Sequence, residues 1–72
     1  MIYNYKSAKR KINGENGKYS AYGVELDGKI LLNDITCDKT FADEIVEKLN
    51  KFQASPIHIS EIVENMIIQK YS

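Results

Sequence analysis

Hydrophobic and polar residues alternate on both sides of a single Asp-Gly step at positions 27 and 28. An Asp-Gly pair between alternating apolar runs is typical of a two-residue β-hairpin with a type I′ turn. The turn fixes a register in which Val24 lies opposite Leu31 and Tyr22 lies opposite Asn33. The core face of this hairpin is therefore predicted to carry Tyr22, Val24, Leu26, Leu31 and Ile35.

The second face of the predicted hairpin is also fairly apolar. It carries Tyr19, Ala21, Gly23, Ile30 and Leu32, together with the acidic Glu25 and Asp34. Small isolated domains seldom expose clustered apolar surface without a reason. We expect that either a helix of the same chain covers part of this face or another chain does.

An earlier Gly-Glu-Asn-Gly turn at positions 14–17 predicts one more strand before the hairpin. The three strands then cover about residues 2–13, 18–26 and 29–36. The first strand alternates poorly and its basic residues fall on both faces, which an edge strand tolerates because edge lysines discourage unwanted pairing. The predicted strand order is 1-2-3, and the Ile-Leu-Leu run of the third strand forms an unprotected edge.

Two amphipathic helices follow, over about residues 39–53 and 56–70. Asp38 is the expected N-cap of the first helix, with Thr40 as the alternative. Asp43, Glu44 and Glu47 lie before Lys48 and Lys51 in this helix, and this order of charges suits the helix dipole. Its apolar stripe is Phe41, Ile45, Leu49 and Phe52, flanked by Ala42 and Val46.

The second helix is expected to begin with Ser55 as N-cap and Pro56 at the first helical position. Ser60 is an alternative cap that would leave residues 56–58 extended. The stripe of this helix is Ile59, Ile62, Val63, Met66 and Ile67. We therefore predict one α+β domain over residues 1–72, in which a three-stranded antiparallel meander is followed by two helices packed on the sheet.

The composition is that of a globular protein, with one cysteine, one histidine and a net charge of zero. These residues allow no internal disulfide and no structural zinc site, and a lone cysteine suits a reducing compartment. No signal peptide or membrane-length apolar segment is visible. We expect a cytoplasmic protein without metal, cofactor or membrane contact, and self-association as the natural extra source of burial.

Charge is spread unevenly along the chain. Residues 1–18 hold five basic residues and one acidic residue (+4), and the rest holds five basic and nine acidic residues (−4). A basic first strand with tyrosines nearby can contact nucleic acid, or can serve only as edge protection. The candidate nucleic-acid-binding residues are Lys6, Lys9, Arg10 and Lys11.

Two hypotheses for a chemical role concern Cys37 and His58. Cys37 precedes a predicted helix N-terminus, and His58 with Asp34 would complete a nucleophilic triad only if the fold brought all three together. His58 and Glu61 have a metal-like i, i+3 spacing, but two ligands do not make a site. No catalytic or metal-binding residue is predicted, and the chain is not expected to be an enzyme.

The leading functional prediction is a non-enzymatic protein-interaction module that forms homo-oligomers and binds an unknown protein partner. The alternative is a small nucleic-acid-associated regulator that uses the basic first strand. The candidate interface residues are apolar positions left over from the predicted core: Tyr19, Ile30, Leu32, Ile68 and Tyr71.

Several short motifs occur together between residues 19 and 67: Tyr22-Gly23-Val24-Glu25, Asp34-Ile35-Thr36 with Asp38, Asn50, Ser55-Pro56-Ile57-His58 and Ile62-Val63-Glu64. Together they resemble a family of small uncharacterised proteins of clostridia and related Firmicutes. Asn65 departs from the aspartate expected there. The resemblance implies a host group and a cytoplasmic setting but no activity, and the matching residues also suit turns and caps, with Gly23 at a close backbone approach.

Overall fold

The structure is a computed structural model that describes residues 2–72. In this range, β1 (Tyr5–Gly14), β2 (Gly17–Leu26) and β3 (Lys29–Thr36) are followed by α1 (Lys39–Lys51) and α2 (Ile59–Tyr71). The strands form one antiparallel sheet in the order β1-β2-β3. Both helices pack against the sheet and enclose the core with it, so the predicted α+β fold is confirmed.

The β1–β2 hairpin is regular along its whole length. Its pairing runs without a slip from Gly14 opposite Gly17 to Tyr5 opposite Leu26. The two-residue turn makes the Gly14–Gly17 pair hydrogen-bonded, and hydrogen-bonded pairs recur at every second position of an antiparallel ladder. The odd-numbered residues of β1 therefore direct their N–H and C=O groups away from β2.

The β2–β3 hairpin has the predicted turn but not the predicted register. Asp27 and Gly28 both have positive φ angles, 52° and 81°, as a type I′ turn requires. Beyond the turn, however, the register shifts on both sides of Val24. Val24 lies opposite Leu32 instead of Leu31, and Tyr22 lies opposite Thr36 instead of Asn33.

The register shifts because β3 passes directly over Gly23. A Cβ atom on Gly23 would lie 2.1 Å from the carbonyl oxygen of Leu32, so only glycine permits this approach. The surplus residues of β3 form bulges, which include Asp34 in a left-handed conformation with φ of 50°. The expected close approach at Gly23 is thus observed.

The bulges exchange the roles of two leucines. Leu32, which was expected on the second sheet face, is half-buried and packs against the core. Leu31, which was expected in the core, is 37% exposed. A one-residue change of register moves side chains to the opposite face, so both expectations were wrong for the same reason.

The core lies between the inner face of the sheet and the two helices. Phe52, which was predicted on the apolar stripe of α1, is instead exposed at the end of that helix. The other three members of that stripe are buried, and the core cluster as a whole comprises Tyr5, Val24, Phe41, Ile45, Leu49, Ile59 and Val63.

The ends of α1 are defined by specific hydrogen bonds. Asp38 is the N-cap, as predicted, and its side chain accepts from the backbone N–H of Thr40 at 3.0 Å. The helix ends at Lys51, and Gln53 follows with φ of 49°. The N–H of Ala54 then donates to the carbonyl of Leu49, which makes this end a Schellman motif. Lys48 and Lys51 occupy the last turn, where they suit the helix dipole, whereas the first turn contains no acidic residue.

α2 begins at Ile59, three residues later than predicted. The N–H of His58 donates to the carbonyl of Ser55 at 2.9 Å and closes a turn over these four residues. Pro56 occupies the second position of this turn, where its fixed φ is favoured as much as at the start of a helix. The predicted Ser55 cap is therefore wrong, and His58, not Ser60, takes the N-cap position without a side-chain cap.

We predict that Gly23→Ala destabilises the protein by about 2 kcal/mol or more, because the new methyl group would force the β3 backbone away. The free energy of unfolding in urea measures this effect. Gly14→Ala is the control, since its nearest obstacle is the movable ring of Tyr19 at 3.1 Å. An equal loss of stability in both variants would contradict the proposed role of Gly23.

Candidate interaction surfaces

Two carboxamide side chains at the end of α1 bind the backbone at the start of the chain. The Asn50 Oδ1 accepts from the N–H of Tyr5 at 2.6 Å, and its Nδ2 donates to the Tyr5 carbonyl at 2.9 Å. Gln53 binds Tyr3 in the same way, at 2.8 and 2.9 Å. We call these two pairs of hydrogen bonds the amide clamp.

The amide clamp is possible because a carboxamide offers the same donor and acceptor as a peptide group. Tyr3 and Tyr5 are two residues apart, so their backbone groups point to the same side of the chain. Asn50 lies in the last turn of α1 and Gln53 lies two residues beyond its end, and both side chains reach this part of the chain. The two side chains therefore occupy positions that a neighbouring strand would otherwise fill.

The Tyr5 side chain makes a further contact between β1 and the end of α1. Its side chain is buried, and its hydroxyl donates to the carbonyl of Ala54 just after α1. Burial is the main cause that raises the pKa of the Tyr5 hydroxyl, and the neighbouring Tyr3 adds to it. The hydroxyl therefore stays protonated and remains a donor to the end of α1 at neutral pH.

The candidate nucleic-acid-binding residues do not form one stripe. Lys6 and Arg10 lie on the outer face of the sheet, which is the face opposite the core, whereas Lys9 and Lys11 lie on the inner face. All four are exposed. The Arg10 guanidinium also donates to the side-chain oxygen of Asn33 at 3.3 Å. The cations therefore surround an edge of the sheet and do not line one groove.

The outer face of the sheet is partly covered by β3 itself. Ala21 lies on this face and is only 1% exposed. Asn33 and Asp34 in the bulged part of β3 bind Arg10 and Tyr19, the neighbours of Ala21 on the same face. Tyr19 and Ile30 remain partly exposed on the same face. Two predicted interface residues are thus on this surface, while Leu32 has turned to the core.

A hydrogen bond ties Tyr19 to the bulge. The Tyr19 hydroxyl donates to the Asp34 carboxylate at 3.1 Å. This hydrogen bond is the first cause that raises the pKa of Tyr19, ahead of desolvation and the negative charges of Asp34 and Cys37. The carboxylate of Asp34 is therefore engaged by a tyrosine and not by a histidine.

The other two predicted interface residues lie on the last turns of α2. Ile68 and Tyr71 are 57% and 66% exposed. The ring of Tyr71 meets Phe41 edge-to-face at 6.2 Å between centroids, and the Lys70 ammonium lies 4.8 Å from the centre of the Phe41 ring. The five predicted interface residues therefore do not form one surface.

The hypothetical triad is not assembled. Within residues 2–72, no group of three or more His, Cys, Asp or Glu side chains is arranged to hold a metal ion. Cys37 is exposed between β3 and α1, and His58 lies at the start of α2.

Residues 2–72 contain no helix with the length and apolarity needed to cross a membrane.

Sequence reasoning missed the amide clamp. Asn50 and Gln53 have the i, i+3 spacing of two carboxamides at the end of an amphipathic helix, beside its apolar stripe. That spacing is a weak signal, because most exposed amides bind only water. Asn50 did appear among the residues that carry the family resemblance.

Comparison with known proteins agrees with that resemblance at the level of the family. Residues 1–69 match the family of unknown function DUF6514. The chain belongs to this family. The match includes β1, which the shorter resemblance over residues 19–67 did not cover. No curated protein and no solved structure matches the chain, so DUF6514 membership identifies the domain without assigning an activity to it.

We predict that Asn50→Ala destabilises the fold by about 2–3 kcal/mol, because it leaves the N–H and C=O of Tyr5 without their partner. Denaturant unfolding measures the loss. Asn65→Ala is the matched control on an exposed face of α2 and should change stability by only a few tenths of a kcal/mol, roughly the difference in helix propensity. Equal effects at both positions would disprove the importance of the amide clamp.

We predict that Asp34→Asn lowers the pKa of Tyr19 towards its ordinary value, because the variant removes the negative charge that faces the hydroxyl. An alkaline titration of the five tyrosines, followed by ultraviolet absorbance, measures the change. In the parent protein the raised pKa of Tyr19 favours the folded state below about pH 10, and this contribution is lost as the pH rises through the folded-state pKa. Tyr19→Phe identifies the transition, and an unchanged titration in Asp34→Asn would contradict the assignment.

Proposed function

We propose that this DUF6514 domain is a non-enzymatic protein-interaction module that self-associates through the last turns of α2. The observation that carries the proposal is the incomplete burial of this segment. Four of its six residues are apolar or aromatic and none of the four is fully buried: Met66, Ile67, Ile68 and Tyr71.

Burial along α2 is uneven. Ile59 and Val63, in its first half, are the two fully buried residues of this helix. In the second half, Met66 and Ile67 are half-buried against the core, Ile68 is exposed, and the Tyr71 ring contacts Phe41 edge-to-face. A helix whose apolar residues extend around its circumference is typical of one that is covered on more than one side.

A second copy of the chain is a suitable cover for this segment. Two α2 helices that pack about a twofold axis would bring each Ile68 next to the partner's apolar side chains. The burial gained would add to the modest core of a 72-residue chain. The edge of β3, which the sequence predicted to be unprotected, is less suitable because bulges interrupt it and disfavour strand pairing there.

Nucleic-acid binding by the basic strand remains the second candidate. It is favoured by the exposure of all four cations in residues 6–11. These cations are divided between two faces of the sheet and the chain has zero net charge, and both facts disfavour nucleic-acid binding.

A cytoplasmic location in clostridia or related Firmicutes stays a prediction from the resemblance and from the lone cysteine.

We predict that Ile68→Glu dissociates the assembly by placing a charge in its apolar contact, with about a tenfold or greater weakening. Sedimentation equilibrium over a range of protein concentrations measures the association. The control is Gln69→Glu, which adds the same charge at the next exposed position of the helix. A monomeric parent protein, or equal weakening by both variants, would refute this interface.

A further inference from the structure

We propose that the outer edge of β1, at residues 7–13, binds an extended acidic peptide by strand addition. We call this segment the free edge. It is a second surface, separate from α2, and the proposal does not depend on self-association. Its basis is the direction of the backbone groups, the neighbouring amide clamp and the charge of the strand.

The backbone of the free edge is ready to pair with another strand. The regular β1–β2 register places hydrogen-bonded pairs at the even-numbered residues of β1. The N–H and C=O groups of Ser7, Lys9, Lys11 and Asn13 therefore point outwards. β2 is the one strand beside β1 in the described sheet, so nothing in residues 2–72 forms a ladder with these groups.

The amide clamp ends at Tyr5, and the free edge begins two residues later. Asn50 binds the outward N–H and C=O of Tyr5, which belongs to the same odd-numbered series. The chain thus already satisfies this edge with peptide-like groups as far as Tyr5. From Ser7 onwards the same pattern of donors and acceptors continues without carboxamides from α1, and this leaves space for an added strand.

Charge selects the kind of strand that can be added. An added strand has side chains on both faces of the sheet. On the inner face they would lie beside Lys9 and Lys11, whereas on the outer face the Arg10 guanidinium reaches Asn33 of β3. Residues 2–14 contain no acidic residue. Acidic side chains on the inner face of a partner strand would therefore meet Lys9 and Lys11, whichever direction the strand runs.

The same charges disfavour a second copy of β1 at this edge. Pairing two copies of the strand would place basic residues of one beside basic residues of the other, and like charges across strands are destabilising. An acidic extended segment meets no such repulsion. The edge is therefore suited to an acidic partner, with backbone hydrogen bonds for affinity and charge for selectivity.

The test uses a blocked peptide of alternating Glu and Val, about as long as β1, and the full-length protein. Binding should slow amide hydrogen exchange at Ser7, Lys9, Lys11 and Asn13. Exchange at the even-numbered residues of β1 should change little, because their N–H groups already bind β2. A peptide of alternating Lys and Val is the charge control and should not bind.

Two substitutions at Lys9 separate backbone pairing from charge. Lys9→Gln removes the charge and should weaken peptide binding about two- to fivefold. Lys9→Pro removes the same charge and also an outward N–H, which an edge strand tolerates, and should weaken binding by about tenfold or more. Far-UV circular dichroism checks the fold of each variant. If Lys9→Pro unfolds, a peptide N-methylated along its pairing side replaces it and should fail to bind.

Several results would overturn the proposal. These are absence of peptide binding at low salt, binding without protection of the odd-numbered amides, and equal affinity of Lys9→Gln and Lys9→Pro. Tighter binding of a single-stranded oligonucleotide that displaces the peptide would assign the basic strand to nucleic acid instead. The peptide should bind Ile68→Glu as well as it binds the parent protein, so failure of self-association through α2 leaves this test intact.

Discussion

The position of the helices on the sheet depends on Tyr5, to which the end of α1 is joined by three hydrogen bonds. Two of them pair the Tyr5 backbone with a side-chain amide, and the third uses the hydroxyl at the far end of a buried ring. The burial of this ring contributes about 2–3 kcal/mol, and unpaired polar groups at the same place would cancel much of it. The apolar and polar contacts of Tyr5 therefore stabilise the fold only together.

The bulges of β3 have a comparable influence on the opposite side of the sheet. Gly23 lets the backbone of β3 cross close to β2, and the accompanying shift in register turns Leu32 into the core. A regular β3 would have left a broad apolar outer face and a continuous third edge. The bulged strand reduces both, and for this reason the two proposed surfaces are the free edge of β1 and the end of α2.

Local signals in the sequence predicted much of this fold, because their causes lie within a few residues. The type I′ turn follows from Asp27-Gly28 and the start of α1 from Asp38. Pro56 was ambiguous, since a turn and a helix start favour the same φ. The bulges depend on the close approach of the β3 backbone to Gly23. The amide clamp joins residues that are 45 and 50 positions apart. No periodicity reports contacts at such a distance, so the sequence predicted the elements better than the surfaces they form.

The two proposed surfaces differ in the physical origin of their affinity. Association through α2 removes apolar side chains from water, and excluded salts such as sulfate strengthen that effect. Binding at the free edge draws on exposed cations, whose attraction to an acidic strand is screened within about 10 Å at moderate ionic strength. The two proposals therefore predict that added sulfate weakens binding of an acidic peptide at the free edge and strengthens association through α2. A chain with no net charge can show both behaviours because its basic residues are concentrated around one strand and its acidic residues lie mostly in the remainder.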